Sequence, residues 1–355
     1  MKRVAIVSIQ GVPAKYGGFE SLVENLIGEH CSPDVEYTVF CSGKDMPERL
    51  DTYKNAKLKY IPLHANGWQS VFYDTISLIQ SMRGYDSILI LGISAPILWI
   101  YKKLCKAKLI VNVDGLSQFR DKYNKFTQKY IALLKWNVVK RADVIVSDNK
   151  GIQNFVKDTY KKESVLIAYG GDHVLRDIPE TEQSCILNQY QLKKDDYAVS
   201  VCRIEPENNC HLVLEGFAQN GMDLVYIGNW MRSEYGRNLR EKYKNCTNIK
   251  ILDPIYDLDI LYALRNNAKV YIHGHSVGGT NPSLVEAMFF AKPIIAYDVV
   301  YNRATTNFQA SYFKSAEDLD VVLQNINIES GIQMLKYAEE NYTWKHITEL
   351  YESLY

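Results

Sequence analysis

Lys269-Val-Tyr-Ile-His-Gly-His275-Ser-Val-Gly-Gly-Thr-Asn-Pro-Ser283-Leu-Val-Glu286-Ala-Met288 reads as a strand, a glycine turn and a helix in immediate succession. Val270, Tyr271 and Ile272 favour an extended chain. Gly278 and Gly279 permit backbone angles closed to other residues. Asn281 is a good N-cap and Pro282 suits the first helical position. A turn of this kind leaves several backbone N–H groups unpaired and aimed at one point, where the helix dipole favours an anion. Glu286 falls about one turn inside, within reach of a hydroxyl attached to a bound diphosphate. The same residues also describe an ordinary capped helix with a surface acid, and this stretch alone leaves both readings open.

The pattern repeats along the chain. In the first half the strand candidates are residues 4–9, 37–41, 58–61, 87–91, 109–113, 144–147 and 165–168. They are rich in β-branched residues and apolar on both faces, as strands covered by helices on each side must be. Helix candidates fall between them at 20–29, 69–82, 118–139 and 151–159. A polar stretch from His173 to Asp196 interrupts the alternation and predicts a boundary. Strands at 198–202, 224–227, 249–252, 270–273 and 294–297 follow it. Alternation of this kind predicts an α/β protein with two doubly wound parallel sheets, their binding edges facing one another. The expected domains are 1–175, 176–335 and a C-terminal helix, 336–355, crossing back onto the first.

Composition sets the class. At 355 residues, 47% hydrophobic and 23% charged, the chain is long enough for two ordinary domains. Forty-one basic residues balance 41 acids, so bulk attraction to nucleic acid is not indicated. No apolar run reaches the roughly 18 residues that a membrane helix needs. The start, Met1 to Ser8, reads as a first buried strand rather than a secretory signal. Seven scattered cysteines without CxxC spacing indicate reduced thiols, a cytoplasmic setting and no metal site.

Two further loops follow predicted strands. Gln10-Gly-Val-Pro-Ala-Lys-Tyr-Gly-Gly-Phe-Glu20 places Gly17 and Gly18 directly before a helix, where backbone can approach a ligand. A GxGxxG turn is absent, which argues against a dinucleotide cofactor, and no cofactor is expected. Ser200-Val-Cys-Arg-Ile-Glu-Pro-Glu-Asn-Asn209 places Arg203 at a sheet edge, where a guanidinium can fork onto a diphosphate. The competing reading is a surface ion pair to Glu205 or Glu207.

Taken together, these three stretches resemble one group: the retaining glycosyltransferases of the GT-B fold, family 4-like, in the bacterial rhamnosyltransferase-type branch with a DUF1972-like N-terminal domain. Asn112-Val-Asp-Gly-Leu116, Ser147-Asp-Asn149, Ala168-Tyr-Gly-Gly-Asp172, Ile227-Gly-Asn229 and Ile255-Tyr-Asp257 carry the resemblance over nearly the whole chain. It implies a nucleotide-diphosphate sugar donor held mainly by the second domain, with dTDP-rhamnose favoured, and a lipid-linked saccharide acceptor in cell-surface polysaccharide synthesis. Arg203 and the amides around Gly279, Thr280 and Asn281, with Ser283, would take the diphosphate. Glu286 would take a ribose hydroxyl and the loop holding Tyr256 would frame the base. Gly17 and Gly18 would close over the phosphates.

Two positions depart from the broader family. The acid commonly found eight residues before Glu286 is Gly278 here, and the lysine commonly found five residues after the arginine is Asn208, which inherits the donor-side position. The resemblance implies no enzyme nucleophile and no metal. It implies that the acceptor attacks from the face that the diphosphate leaves, with configuration retained, and that preorganised positive potential would stabilise the departing anion. Asp114, Asp148 and Tyr169, each just past a predicted strand, are the candidate catalytic residues. Competing readings are a sugar-nucleotide epimerase or hydrolase of the same shape, and a silent nucleotide-sugar-binding subunit, to which Gly278 points.

Between Lys102 and Arg141 eleven basic residues stand against two acids, Asp114 and Asp121. Phe119, Tyr123, Phe126, Tyr130 and Leu133 form one helical stripe there. A basic aromatic helix of this kind fits an anionic membrane surface, at the inner face of the cell membrane. It equally fits a core helix with solvated lysines; if both hold, the stripe packs on the sheet and the basic flank meets lipid. His64, His173, His211 and His346 read as structural or exposed, while His273 and His275 flank the glycine turn.

Overall fold

The computed structural model describes residues 1–14, 17–92, 99–113 and 125–355, without the side chains of residues 99, 100, 126 and 127. The chain divides into two compact units, Met1–Tyr169 with Trp344–Tyr355, and Gly170–Thr343.

The first unit contains β1 (Lys2–Val7), β2 (Val35–Ser42), β3 (Thr52–Tyr53), β4 (Ala56–Ile61), β5 (Ser87–Leu91), β6 (Lys108–Val113), β7 (Val144–Ser147) and β8 (Val165–Leu166). They pair in the order β3-β4-β2-β1-β5-β6-β7-β8, parallel throughout except where β3 folds back on β4. The crossovers carry α1 (Gly18–Glu29), α2 (Ser70–Ser81), α3 (Trp99–Leu104), α4 (Lys125–Arg141) and α5 (Lys150–Phe155). Successive side chains of a strand point to opposite faces. Val4 and Ile6 therefore join α1 in one core, while Ala5 and Val7 join α2, α3 and α4 in another. The first strand stops at Val7 rather than at residue 9, because Ser8 takes a left-handed backbone with φ 69°.

The second unit pairs β9 (Tyr197–Val201), β10 (Asp223–Ile227), β11 (Ile249–Leu252), β12 (Val270–His273), β13 (Ile294–Tyr297) and β14 (Ser311–Phe313) in the order β11-β10-β9-β12-β13-β14, all parallel. Its helices are α6 (Glu180–Gln189), α7 (Cys210–Asn220), α8 (Glu234–Tyr243), α9 (Leu258–Asn266), α10 (Pro282–Met288), α11 (Val300–Thr305), α12 (Ala316–Gln324) and α13 (Glu329–Asn341). The polar stretch expected as a bare boundary holds α6, whose Gln183 accepts hydrogen bonds from Asn266 and Asn267, each at 2.9 Å.

The last helix also differs from expectation. It breaks after α13 and resumes as α14 (Trp344–Ser353). At the break the buried Tyr342 leaves helical geometry (φ −128°, ψ 22°), donates its hydroxyl to Thr305 and accepts from the Gly171 amide through its carbonyl. The change of unit falls there, later than residue 335. The other change falls at Gly170, ahead of residue 175, because Gly171 lies against α10: a Cβ on it would stand 3.0 Å from the Glu286 amide.

Candidate functional site

Strand order places the second unit's loops. β9 lies inside its sheet with β10 on one side and β12 on the other. Winding reverses between β9 and β12, and such a switch point opens a crevice at the carboxyl ends of the two strands. Arg203 follows β9, and the glycine turn from Gly274 to Asn281 follows β12.

These loops interlock through close backbone approach. A Cβ on Gly274 would fall 2.1 Å from the Asn208 carbonyl oxygen, and one on Gly228 would fall 2.6 Å from that of Cys202. The Asn208 amide donates to the Arg203 carbonyl at 2.6 Å, and its Oδ1 meets His275 Nδ1 at 2.5 Å. The Ser276 amide and hydroxyl both donate to the Glu207 carbonyl at 2.9 Å. Asn208 was expected on the donor side. It is 2% exposed, with both ends of its amide engaged inside the protein, and ties the arginine loop to the glycine turn. Gly274→Ala should cost about 1–3 kcal/mol of stability by forcing these loops apart. Chemical unfolding of the variant against the parent measures that difference.

The helix start is built as its residues dictate. Asn281 caps α10, accepting from the Ser283 amide at 3.1 Å and the Ser283 hydroxyl at 2.8 Å, with Pro282 in the first turn. Gly278 has φ +118°, which an L side chain rarely adopts. Thr280 is buried and Gly279 half-buried. Arg203 is 43% exposed and pairs with Glu207 at 3.3 Å. That is the ion pair weighed against the phosphate reading; exposed pairs are worth about 0–1 kcal/mol. Tyr256 is 85% exposed, and the neighbouring Asp257 is spent capping α9.

Glu286 has two partners that sequence reasoning missed. Its Oε2 meets Arg265 Nη2 at 2.9 Å, and its Oε1 stands 3.6 Å from His173 Nε2. Arg265 sits in the last turn of α9, 4% exposed, with its guanidinium carbon 6.0 Å from the centre of the Phe290 ring. An arginine on the apolar face of a short helix was the available signal. His173, read as structural or exposed, belongs to this cluster.

His273, at the end of β12, is 2% exposed, and its Nε2 finds no hydrogen-bond partner among the described residues. Burial, and then the neighbouring His275, push its pKa down to about 3. The folded ring stays neutral where the unfolded ring, with its pKa of about 6.5, takes up a proton. Stability is therefore present above pH ~6.5 and lost as pH falls toward ~3, by up to about 1.4 kcal/mol per pH unit. His273→Phe should flatten that slope in urea titrations run between neutral pH and the onset of acid unfolding.

The first unit has a switch point of its own, between β1 and β5. Two acids one turn apart on α1 hold the loop after β1: Glu20 accepts from the Gln10 amide at 2.9 Å and Glu24 from the Ala14 amide at 2.5 Å. Gly17 has φ +123°, and a Cβ there would sit 2.0 Å from Glu20 Oε2. Burial raises the Glu20 pKa above its usual value. Tyr169, expected as a catalytic assistant, is 7% exposed and packed in the apolar core, its hydroxyl 3.6 Å from where a Gly18 Cβ would stand. Asp148 is also buried, and its neighbour Asn149 caps α5. Asp114 lies outside the described residues.

Residues 186–309, which include both loops of the second switch point, match the family model described as glycosyl transferases group 1. The chain has the GT-B fold. Residues 1–172 match a domain of unknown function, DUF1972. The chain is 20% identical to an uncharacterized glycosyltransferase of Methanocaldococcus jannaschii, across 100% of this chain and 99% of that one. Its fold is similar to sucrose-phosphate synthase from Thermosynechococcus elongatus, with a TM-score of 0.80, 14% identity and coverage of 100% and 98% of the two chains. It is also similar to Anabaena HepE in complex with UDP, with a TM-score of 0.73, 13% identity and coverage of 99% of each chain.

Proposed function

We propose that the second unit binds a nucleotide-diphosphate sugar, with dTDP-rhamnose as donor, and transfers the sugar with retention to a lipid-linked saccharide of a cell-surface polysaccharide. The observation that carries donor binding is the placement of Arg203 and the Gly278–Asn281 turn at the two strands of one switch point. A similar fold, that of HepE, holds UDP. Arg203 and the amides of Gly279, Thr280 and Asn281 take the diphosphate, with Ser283 beside them. Glu286 takes the sugar hydroxyl of the nucleoside and Tyr256 stacks on the base. Charge builds on the diphosphate as it leaves, and preorganised cationic and amide groups stabilise it there. The leaving phosphate accepts the proton of the attacking hydroxyl.

No helix among the described residues is long and apolar enough to cross a membrane. The proposal places the acceptor at a lipid surface on the strength of one helix layer of the first unit. Tyr130 and Leu133, the described part of the expected core stripe, are exposed by 44% and 63%. The buried positions are instead Leu134 and Val138, one position along the helix, and Val138 joins the core of the sheet. Trp136 is exposed beneath Lys140, 4.7 Å from its ring centre, and α2, in the same layer, exposes Phe72 and Ile79. Aromatic and basic side chains on one face suit an anionic interface.

A thermal-shift series over nucleotide sugars tests the donor, because a ligand of the folded state alone stabilises it in proportion to affinity. The proposal expects the largest shift from dTDP-rhamnose. Larger shifts from another nucleotide sugar overturn the sugar assignment, and no shift from any overturns donor binding.

A further inference from the structure

Arg265 is 4% exposed, and only part of its guanidinium is answered: Nη2 meets Glu286, while Nε is buried without a hydrogen-bond partner among the described residues. Burying a guanidinium on such terms is costly, and a well-packed apolar residue of similar volume is often no worse for stability. Fold stability is therefore a poor reason for an arginine at this position. Its geometry supplies another. The 2.9 Å contact ties down Oε2 and leaves Oε1 as the oxygen turned to other partners. A glutamate fixed in this way does not have to be ordered when a hydroxyl arrives, which removes part of the cost of binding.

We infer that Arg265 is a positioning residue for the donor site: it fixes Glu286 so that one carboxylate oxygen receives the nucleoside's sugar hydroxyl. The inference rests on the donor reading above. It assigns to Arg265 an effect on the nucleoside half of the ligand and none on the phosphate half.

Calorimetric titration of the full chain with dTDP and with inorganic pyrophosphate separates the two halves. Arg265→Met is expected to weaken dTDP binding about tenfold and to leave pyrophosphate binding within about twofold, in the range of losses for interactions that orient a binding group. Glu286→Gln should weaken dTDP in the same selective manner, and adding Arg265→Met to it should change little, because residues acting as a unit are not additive. Equal loss of both ligands in Arg265→Met would mark a merely structural role and overturn the inference. Unchanged dTDP binding in that variant, with Glu286→Gln impaired, would overturn it while leaving the donor reading intact. Unchanged dTDP binding in both variants would remove the donor reading itself. Should Arg265→Met fail to fold, Arg265→Lys carries the same comparison: selective loss of dTDP supports the inference and parallel loss of both ligands ends it.

Discussion

Arg203→Ala is expected to lower kcat/KM for the proposed sugar transfer about a hundredfold and to leave thermal unfolding nearly unchanged. A hundredfold loss corresponds to about 2.7 kcal/mol of transition-state stabilisation, the scale of removing one preorganised donor from a developing anion. The small structural effect follows from where the side chain lies. It is 43% exposed and its recorded ion-pair partner is Glu207, at 3.3 Å on the same loop. The loop does not depend on that pair, since Asn208 holds the Arg203 carbonyl and Ser276 holds the Glu207 carbonyl. Lysine in place of Arg203 should recover only part of the rate, because an ammonium cannot form two parallel bonds to a diphosphate. Steady-state kinetics with a matched thermal melt measures both quantities. A loss below about threefold would remove Arg203 from the proposed site.

Tyr351→Ala is expected to destabilise the first unit by about 3–5 kcal/mol, the range for deleting a buried aromatic side chain. Tyr351 is 0% exposed, on the same face of α14 as the buried Trp344 and Ile347, and shares their core with Tyr355 beyond the helix. Its hydroxyl accepts from Asn112 Nδ2 at 2.7 Å, and Asn112 is itself 2% exposed. Removing the ring opens a cavity and leaves a buried amide unanswered, and both effects have the same sign. Tyr351→Phe keeps the ring and loses the acceptor alone, so it should fall between parent and alanine. Guanidinium unfolding of the three proteins reports the series. Alanine equal to the parent would mean that α14 contributes nothing to that core.

The fold was legible where physics acts locally. Alternating apolar strands and helical stretches predicted two parallel sheets, and Asn281 with Pro282 marked the start of α10 to the residue. Legibility failed where polar residues do structural work. The stretch from His173 to Asp196 hid α6, because its buried face opens on a polar residue, Gln183, bonded to two asparagines, ahead of only Ile186 and Leu187. Asn208 stands where a lysine is usual, and nothing in that position shows that its short amide, bonded at both ends, ties two loops together. Arg265 escaped notice because it meets Glu286 from another helix, a pairing with no fixed spacing along the chain. Tyr342, where the last helix breaks, bonds Thr305, likewise remote in sequence.

Because α14 completes the core that begins with β1, the amino-terminal unit is not a continuous stretch of chain. A nascent polypeptide holding residues 1–169 still lacks Trp344, Ile347 and Tyr351, and the unit from Gly170 to Thr343 must leave the ribosome before they do. Domains that form early in synthesis do so as complete units. Here the amino-terminal half waits with an uncovered apolar face, the time at which chaperones and proteases meet a protein, and the intervening unit is the first that can close.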